Sequence, residues 1–243
     1  ERLTTGIVLT PAGQHLLEHV QKMAVSAQQF SLAVAGVSQP LEGIVSLSVS
    51  EIDALFRLPK LIEYIRQRAP NISLDIHVSN SVSDIKRREA DIALRSFRPE
   101  EPDLIARKLF DEPVWFYGTK ELVESYGQAT HPSELTGLTI IGFERTGLML
   151  ERLAPLGWRL TEANFPVVTS FQGLQWQMAK RGLGLAFFPQ QIGDQEPSLV
   201  RAFEQFGAPV TVPLWLVTHR ELHTNRLIRT VFDLLVKGLL SEV

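Results

Sequence analysis

Cysteine is absent from the 243 residues, which excludes disulfide scaffolds, thiolate metal sites and cysteine nucleophiles together. Long apolar runs are missing too: nothing approaches the ~18 residues that a membrane span requires. Glycine and proline number only 16 and 14, far below collagen-like or low-complexity levels. There is no surplus of positive charge either, because 24 Lys+Arg stand against 27 Asp+Glu for a net charge of −3. Nothing therefore draws a polyphosphate backbone to the chain as a whole, and a nucleic-acid surface would have to be local. The N-terminus lacks the basic-then-apolar order of a secretory signal, which points to a soluble cytoplasmic protein, although a mature exported chain would have lost such a signal. What is present is the composition of a folded protein, 44% hydrophobic and 21% charged. The length suits one large α/β domain or two smaller ones.

The first forty residues differ from the rest. Residues 1–9 hold a short strand-turn-strand pattern, too small to fold alone. Thr10-Pro11 then supplies an N-cap and a proline at the first helical position, where its missing N–H costs nothing. Leu16, Val20, Met23, Ala27, Phe30 and Val34 follow at spacings of 4, 3, 4, 3 and 4, the rhythm of a coiled-coil seam. Packing of this helix on its own domain is one reading. Pairing with a second chain is the other, favoured because the helix is long and runs into a linker ending at residue 42.

From Gly43 the pattern alternates strands and helices, as a mostly parallel sheet with crossover helices requires. Strands are expected at 44–50, 72–78, 91–95, 104–110, 114–117, 138–143, 167–170, 183–188 and 210–218. Helices are expected at 52–68, with Pro59 kinking it or starting a second helix, and at 82–89, 120–126, 174–181 and 225–240. Trp115-Phe-Tyr117 and Phe187-Phe188 belong to the core, and Gly182 caps the preceding helix in a left-handed conformation.

Several catalytic signals fail. His219-Arg-Glu-Leu-His223 places two histidines at i, i+4, but its Glu is one position too late for the zincin pattern, and a solvated turn is the simpler reading. His15 and His19 have no third ligand. Gly182-Leu-Gly184 follows a helix instead of opening one and lacks the third glycine of a dinucleotide fingerprint. No metal site, cofactor or catalytic set can be assembled from these residues.

Leu9-Thr-Pro-Ala-Gly13 opening a long helix, a strand begun by Gly43, Leu58-Pro59, Ala69-Pro70 before an alternating strand, Ala90-Asp-Ile-Ala-Leu-Arg95, and Arg181-Gly-Leu-Gly-Leu-Ala186 leading to Pro189 stand in an order that resembles a LysR-type transcriptional regulator. The resemblance implies a bacterial, DNA-binding regulator of transcription. Residues 1–9 would be the wing remnant of a winged helix-turn-helix whose remainder is absent from this chain, and residues 10–42 a dimerising linker helix and linker. It implies two Rossmann-like subdomains similar to type 2 periplasmic binding proteins, one from residues 43–117 plus 211–243 and the other from 118–210. The implied partners are a small-molecule effector, duplex DNA through the missing N-terminal domain, and further copies of the chain in a dimer or tetramer, with no membrane. A periplasmic-type solute-binding protein is the alternative on the same architecture.

Such a layout places ligands beyond the carboxyl ends of strands, where helix N-termini present unpaired N–H groups. Ser50 and Glu51 follow the first strand and Asn80 and Ser81 the second, and the resemblance puts effector contacts there. Serine and asparagine are equally the usual N-cap residues and need no ligand. Thr119, Phe143, Ser170 and Phe171 stand at the corresponding strand ends of the second subdomain. Arg95 ends its strand where a guanidinium pairs either a ligand carboxylate or a neighbour such as Glu100. Glu51 is out of place in a plain anion pocket.

The seam generates a test. Val20→Glu combined with Phe30→Glu puts two carboxylates at seam positions that must lose water without partners. Light scattering is expected to show a smaller assembly for the double variant, and an unchanged mass would remove the seam as the interface.

Overall fold

The structure is a computed structural model and describes residues 41–80, 90–143 and 146–241, preceded by residues 2, 3, 6, 7, 10, 13, 16, 17, 19, 20, 23, 24, 26 and 27. It divides into two compact units, Glu1–Leu41 and Glu42–Val243.

In the first unit, β1 (Arg2–Leu3) and β2 (Gly6–Ile7) pair antiparallel. The Gly13 N–H donates to Thr10 Oγ1 at 3.0 Å, the expected N-cap. The described residues from 13 to 27 are helical, and Leu16, Val20 and Met23 of the seam are 62%, 56% and 71% exposed on the single chain. Phe30 and Val34 lie outside the described residues, as does the helix expected at 82–89.

The second unit is built on β3 (Gly43–Val49), whose Val-Ser-Leu-Ser-Val run alternates but is buried on both faces. Val45, Leu47 and Val49 are core residues, and the serines between them are buried with partners. Ser46 Oγ donates to the Asp91 carboxylate at 2.8 Å, and Ser48 Oγ accepts from Arg95 at 2.6 Å. Two helices follow, α1 (Glu51–Phe56) and α2 (Leu58–Arg68), broken at Arg57 with Pro59 in the first turn of α2. Proline at that position needs no N–H partner, so the junction bends there and not elsewhere. The strands β4 (Ile72–Val78) and β5 (Ile92–Arg95) flank β3, both parallel to it.

β6 (Leu104–Gly118) is a single strand where the sequence suggests two. Asp111-Glu112-Pro113 reads as a break, yet the ladder continues through Thr211↔Pro113 and Val212↔Glu112. The polar residue that looks like a turn signal, Glu112, is a core residue with a buried partner. Beyond it come α3 (Lys120–Ser125), β7 (Ile141–Gly142), α4 (Thr146–Leu153), β8 (Val167–Val168), α5 (Gln172–Lys180), β9 (Ala186–Pro189), α6 (Gln190–Gly193), β10 (Val200–Arg201), β11 (Val210–His219) and α7 (Arg226–Ser241). The expectation missed α4, α6 and β10, and it drew β7 and β8 too long. Both are two-residue strands that pair parallel with each other in a small separate sheet.

The main sheet has seven strands in the order β10-β6-β11-β5-β3-β4, with β9 also on β6. It is mixed and not mostly parallel. β3 pairs in parallel on both sides, whereas β11 runs antiparallel to β5 and β6, and β6 antiparallel to β9 and β10. The long β6–β11 ladder explains this, because β11 returns near the end of the chain beside a strand formed a hundred residues earlier. α7 presents Leu227, Ile228, Val231, Leu235 and Leu239 inward, all buried, and packs on α2. A second cluster gathers Phe116, Ile140, Leu153, Trp158, Leu185 and Phe203. Tyr117, Trp176 and Phe188 head a third, which places the aromatic pairs of β6 and β9 in the core as expected. Gly182 has φ +70° and its N–H donates to Ala179 O at 2.9 Å, the left-handed stop to α5.

At Gly193 the need is for space. A Cβ there would lie 2.1 Å from Tyr117 Cζ and 2.3 Å from Cε2, and the Tyr117 ring is fully buried. Gly193→Ala is expected to cost ~1–3 kcal/mol or more by overpacking. Gly147→Ala meets nothing within 4 Å in α4 and is expected to stabilise by ~0.5–1 kcal/mol through helix propensity. Urea unfolding of the two variants checks both signs.

Candidate functional site

Every described site candidate stands at a strand end. Ser50 follows β3, Asn80 follows β4 by two residues, Arg95 closes β5, Thr119 follows β6, Phe143 follows β7 and Ser170 follows β8. Ser81 lies outside the described residues.

Ser50 caps α1, accepting from the Asp53 N–H at 3.2 Å while its hydroxyl donates to Asp53 Oδ2 at 2.6 Å. The Ser79 N–H donates to Val49 O at 2.9 Å, so the ends of β3 and β4 stay together. Asn80 Oδ1 then accepts the Glu51 N–H at 3.1 Å. The Glu51 side chain turns away from these partners. Its Oε2 accepts the N–H of Gln172 at 2.9 Å, the first residue of α5 and 121 positions distant in sequence. A carboxylate at a helix N-terminus is favoured both by the unpaired N–H and by the helix dipole. The residue that looked misplaced in an anion pocket is thus the partner of that amide.

β7 and β8 bring the second group together. The Thr169 N–H donates to Gly142 O at 3.0 Å, which sets Phe143 beside Ser170. Gln175, buried on α5, donates from Nε2 to Gly142 O at 3.0 Å and to Thr169 O at 2.9 Å. Phe171 is the N-cap residue of α5 and is 53% exposed. The structure therefore links Asn80 to Glu51, beside Ser50, and Glu51 in turn to Gln172 at the start of α5. Thr119 meets other neighbours: its hydroxyl accepts the Leu122 N–H at 3.3 Å to cap α3, and Gly182 lies against it. Arg95 is buried, with Nη1 donating to Ser48 O at 3.0 Å and Leu94 O at 2.9 Å and Nη2 to Ser48 Oγ. Its guanidinium ties β5 to β3.

Beneath the Ser50 end lies a cluster that the sequence reading missed. Arg57 is buried between Asp53 and Glu112 and donates to both carboxylates. The remaining Glu112 oxygen accepts the Gln191 N–H at 3.3 Å. Burial works against the Arg57 charge, but the two carboxylates outweigh it and hold the guanidinium above its ordinary pKa. Burial pushes the Glu112 carboxyl up, and Arg57 offsets this only in part. Asp53 and Arg57 stand at i, i+4 on neighbouring helical turns, a spacing visible in the sequence. Nothing local marks Glu112.

Elsewhere, residues 220–224 form the expected turn before α7, with Arg220, Glu221 and Thr224 exposed, while both His219 ring nitrogens and His223 Nδ1 are enclosed without hydrogen-bond partners. His223 packs edge-on against Phe232 at 5.7 Å. Among the described residues no group of three or more His, Asp or Glu could hold a metal ion. A surface recess of about 610 Å³ lined by Arg98, Glu100, Pro102, Leu104 and Trp215 shares no residue with the strand-end group.

A family model for the LysR substrate binding domain matches residues 38–239. The chain belongs to this LysR family. A regulator of the helix-turn-helix type from Xanthomonas campestris is 31% identical over 134 residues, 55% of this chain and 39% of its own length. A probable hydrogen peroxide-inducible genes activator from Mycobacterium xenopi is 29% identical and is covered over 61% of its length, so the chain spans less than two thirds of each of these two relatives. The transcriptional regulator CrgA of Neisseria meningitidis is 23% identical over 98% of this chain and 81% of its own. Among solved structures, the CrgA regulatory domain superposes with a TM-score of 0.72 at 23% identity, covering 82% of this chain and 99% of that one. Full-length AphB of Vibrio cholerae gives 0.66 at 17% identity over 98% and 82%. The LysR regulatory-domain fold, similar to type 2 periplasmic binding proteins, is thus the fold of this chain.

In this LysR domain, Arg57→Met would strand two buried carboxylates, at an expected cost of ~3–5 kcal/mol. A carboxyl whose folded pKa is raised favours the fold when protonated, so its contribution is complete below the ordinary carboxylate value and is lost as pH rises through the raised one. Without Arg57 the Glu112 value climbs further. The Arg57→Met defect is therefore expected to be largest at neutral pH and to shrink on acidification, as read by urea unfolding across pH.

Proposed function

We propose that the chain is the effector-binding and oligomerisation part of a ligand-responsive, DNA-binding transcriptional regulator of LysR type. A small-molecule effector lies at the strand ends, between a subdomain of residues 43–117 plus 211–243 and one of residues 118–210. The observation that carries the reading is the pair of bonds by which Glu51, next to Ser50, meets Asn80 and the start of α5, within a chain whose family is the LysR substrate binding domain. Two-residue β7 and β8 stand in a sheet apart from the main one, in keeping with a second subdomain. Hydroxyls and amides at those ends suit a small polar ligand. The relatives are named as transcriptional regulators, which favours a regulator over an enzyme, and no described helix is long and apolar enough to cross a membrane. The exposed Leu16, Val20 and Met23 stripe suits pairing between copies, and duplex DNA would be held by the helix-turn-helix part of the full protein.

Two measurements test this. Thermal-shift screening against a metabolite library is expected to find a ligand, because one present at 100 times its Kd stabilises the fold by ~2.7 kcal/mol. Ser81→Ala is expected to weaken that ligand by about 5- to 150-fold, the equivalent of ~1–3 kcal/mol for one unpaired ligand atom. Its effect on ligand-free stability is expected to stay within ~0.5–2 kcal/mol. A variant that melts earlier yet binds equally well would move the pocket elsewhere. Residues 1–243 alone, at net charge −3, are expected to bind duplex DNA no better than nonspecific background at physiological salt, and tight selective binding by this chain would overturn the division of labour.

A further inference from the structure

Glu51 is held at both ends. Its N–H is fixed to Asn80 Oδ1 beyond β4, and its carboxylate takes the first N–H of α5. We propose that this carboxylate is a latch: the Glu51–Gln172 bond closes α1 against α5 in the ligand-free chain, and the effector acts by taking over one side of it. The proposal deepens the effector reading above and rests on it only for what opens the latch.

Three further observations place the closure here. Phe56 of α1 meets Trp176 of α5 with ring centroids 4.4 Å apart. Gly173, one residue after the latched amide, leaves so little room that a Cβ there would lie 3.2 Å from Leu55 Cδ1 of α1 and 2.9 Å from Phe171 Cε2. The contact has an open rim, where Leu55 and Phe171 are 50% and 53% exposed, above a buried base, where Ile52 of α1 and Trp176 of α5 share one core cluster. The half-exposed rim, joined by one charge-assisted hydrogen bond, is the part a ligand can release, and the buried base at Ile52 and Trp176 is the pivot about which the helix ends part. The acceptor also matches its donor in sign, because a carboxylate at the N-terminus of α5 complements the helix dipole. A ligand group that replaces it must offer an acceptor to Gln172 N–H or a donor to the released carboxylate.

The chain has no cysteine, so nitroxides can be placed at two chosen positions. Glu63→Cys on α2 and Gln177→Cys on α5 are both exposed. Their distance distribution is read by pulsed electron spin resonance, with labelled chain diluted in unlabelled chain so that only distances within one copy are seen. Without ligand, the parent is expected to give one narrow population. Glu51→Ala is expected to add a longer one, and Glu51→Gln, which keeps a neutral acceptor, to fall between. Gly173→Leu wedges the same contact without touching the charge, and the residue introduced favours the helix more than glycine does. It is expected to shift the population in the same direction. Hydrogen exchange at the Gln172 amide is expected to quicken about ten- to hundredfold in Glu51→Ala, the loss of one charge-assisted bond. Wild-type distances in both Glu51→Ala and Gly173→Leu overturn the latch, and so does faster exchange at Gln172 with distances unchanged, which is local fraying. No ligand enters this measurement, so the latch fails here, whereas the effector reading fails in the thermal-shift screen.

Discussion

A guanidinium buried between two carboxylates organises this molecule. Arg57 sits where α1 ends and α2 begins, so its position sets the bend between them, and among the described residues Asp53 and Glu112 are the charges it pairs with. Burying such a group adds little net stability compared with an apolar replacement, but leaving one member unpaired is expensive. The arrangement therefore constrains geometry more than it adds energy. α1 must lie where Asp53 reaches Arg57, and β6 must run straight through Glu112 so that its carboxylate faces inward. Through the other Glu112 oxygen the first turn of α6 is tied in as well.

The strand-end group inherits this order. Ser50 lies one bond from the triad because its hydroxyl donates to Asp53, and Glu51 stands next to it on the same helical turn. Gln175 performs the matching task on the other side, fixing the carbonyls of Gly142 and Thr169 from within α5. Two preformed polar frames thus face one another, each satisfied internally and joined by the Glu51–Gln172 bond. On the proposed reading, a ligand entering between them would meet amides and hydroxyls whose directions are already set, which lowers the ordering cost of binding.

The sheet supports both frames. β6 and β11 form its long ladder, and β6 alone carries on to pair with β9 and β10. Tyr117, near the end of β6, is anchored by its hydroxyl donating to Asp194 at 2.8 Å, with Arg201 paired to the same carboxylate. Arg201 and Tyr117 hold the Asp194 carboxyl below its ordinary pKa against the opposing effect of burial. The end of β6 is therefore a rigid support on which α6 packs through Gly193.

Local periodicity determined much of the fold. The alternating run of β4, the N-cap at Thr10, the proline that starts α2, the left-handed stop at Gly182 and the amphipathic α7 are all legible, because each depends on neighbours within a turn or a strand. The family resemblance told which strand ends to examine; there Glu51 is bonded to Asn80 and to the start of α5, while Thr119 and Arg95 meet other partners. Tertiary structure alone decided the rest. Glu112 resembles a turn residue until Arg57 arrives from 55 positions away to neutralise it. Glu51 looks unsuited to its place until α5 presents an unpaired N–H across 121 residues. β7 and β8 are too short to show a period and exist only because they pair with each other. Charge and shape complementarity between distant segments leave no pattern in either segment, which is why partners were unreadable where helices and strands were plain.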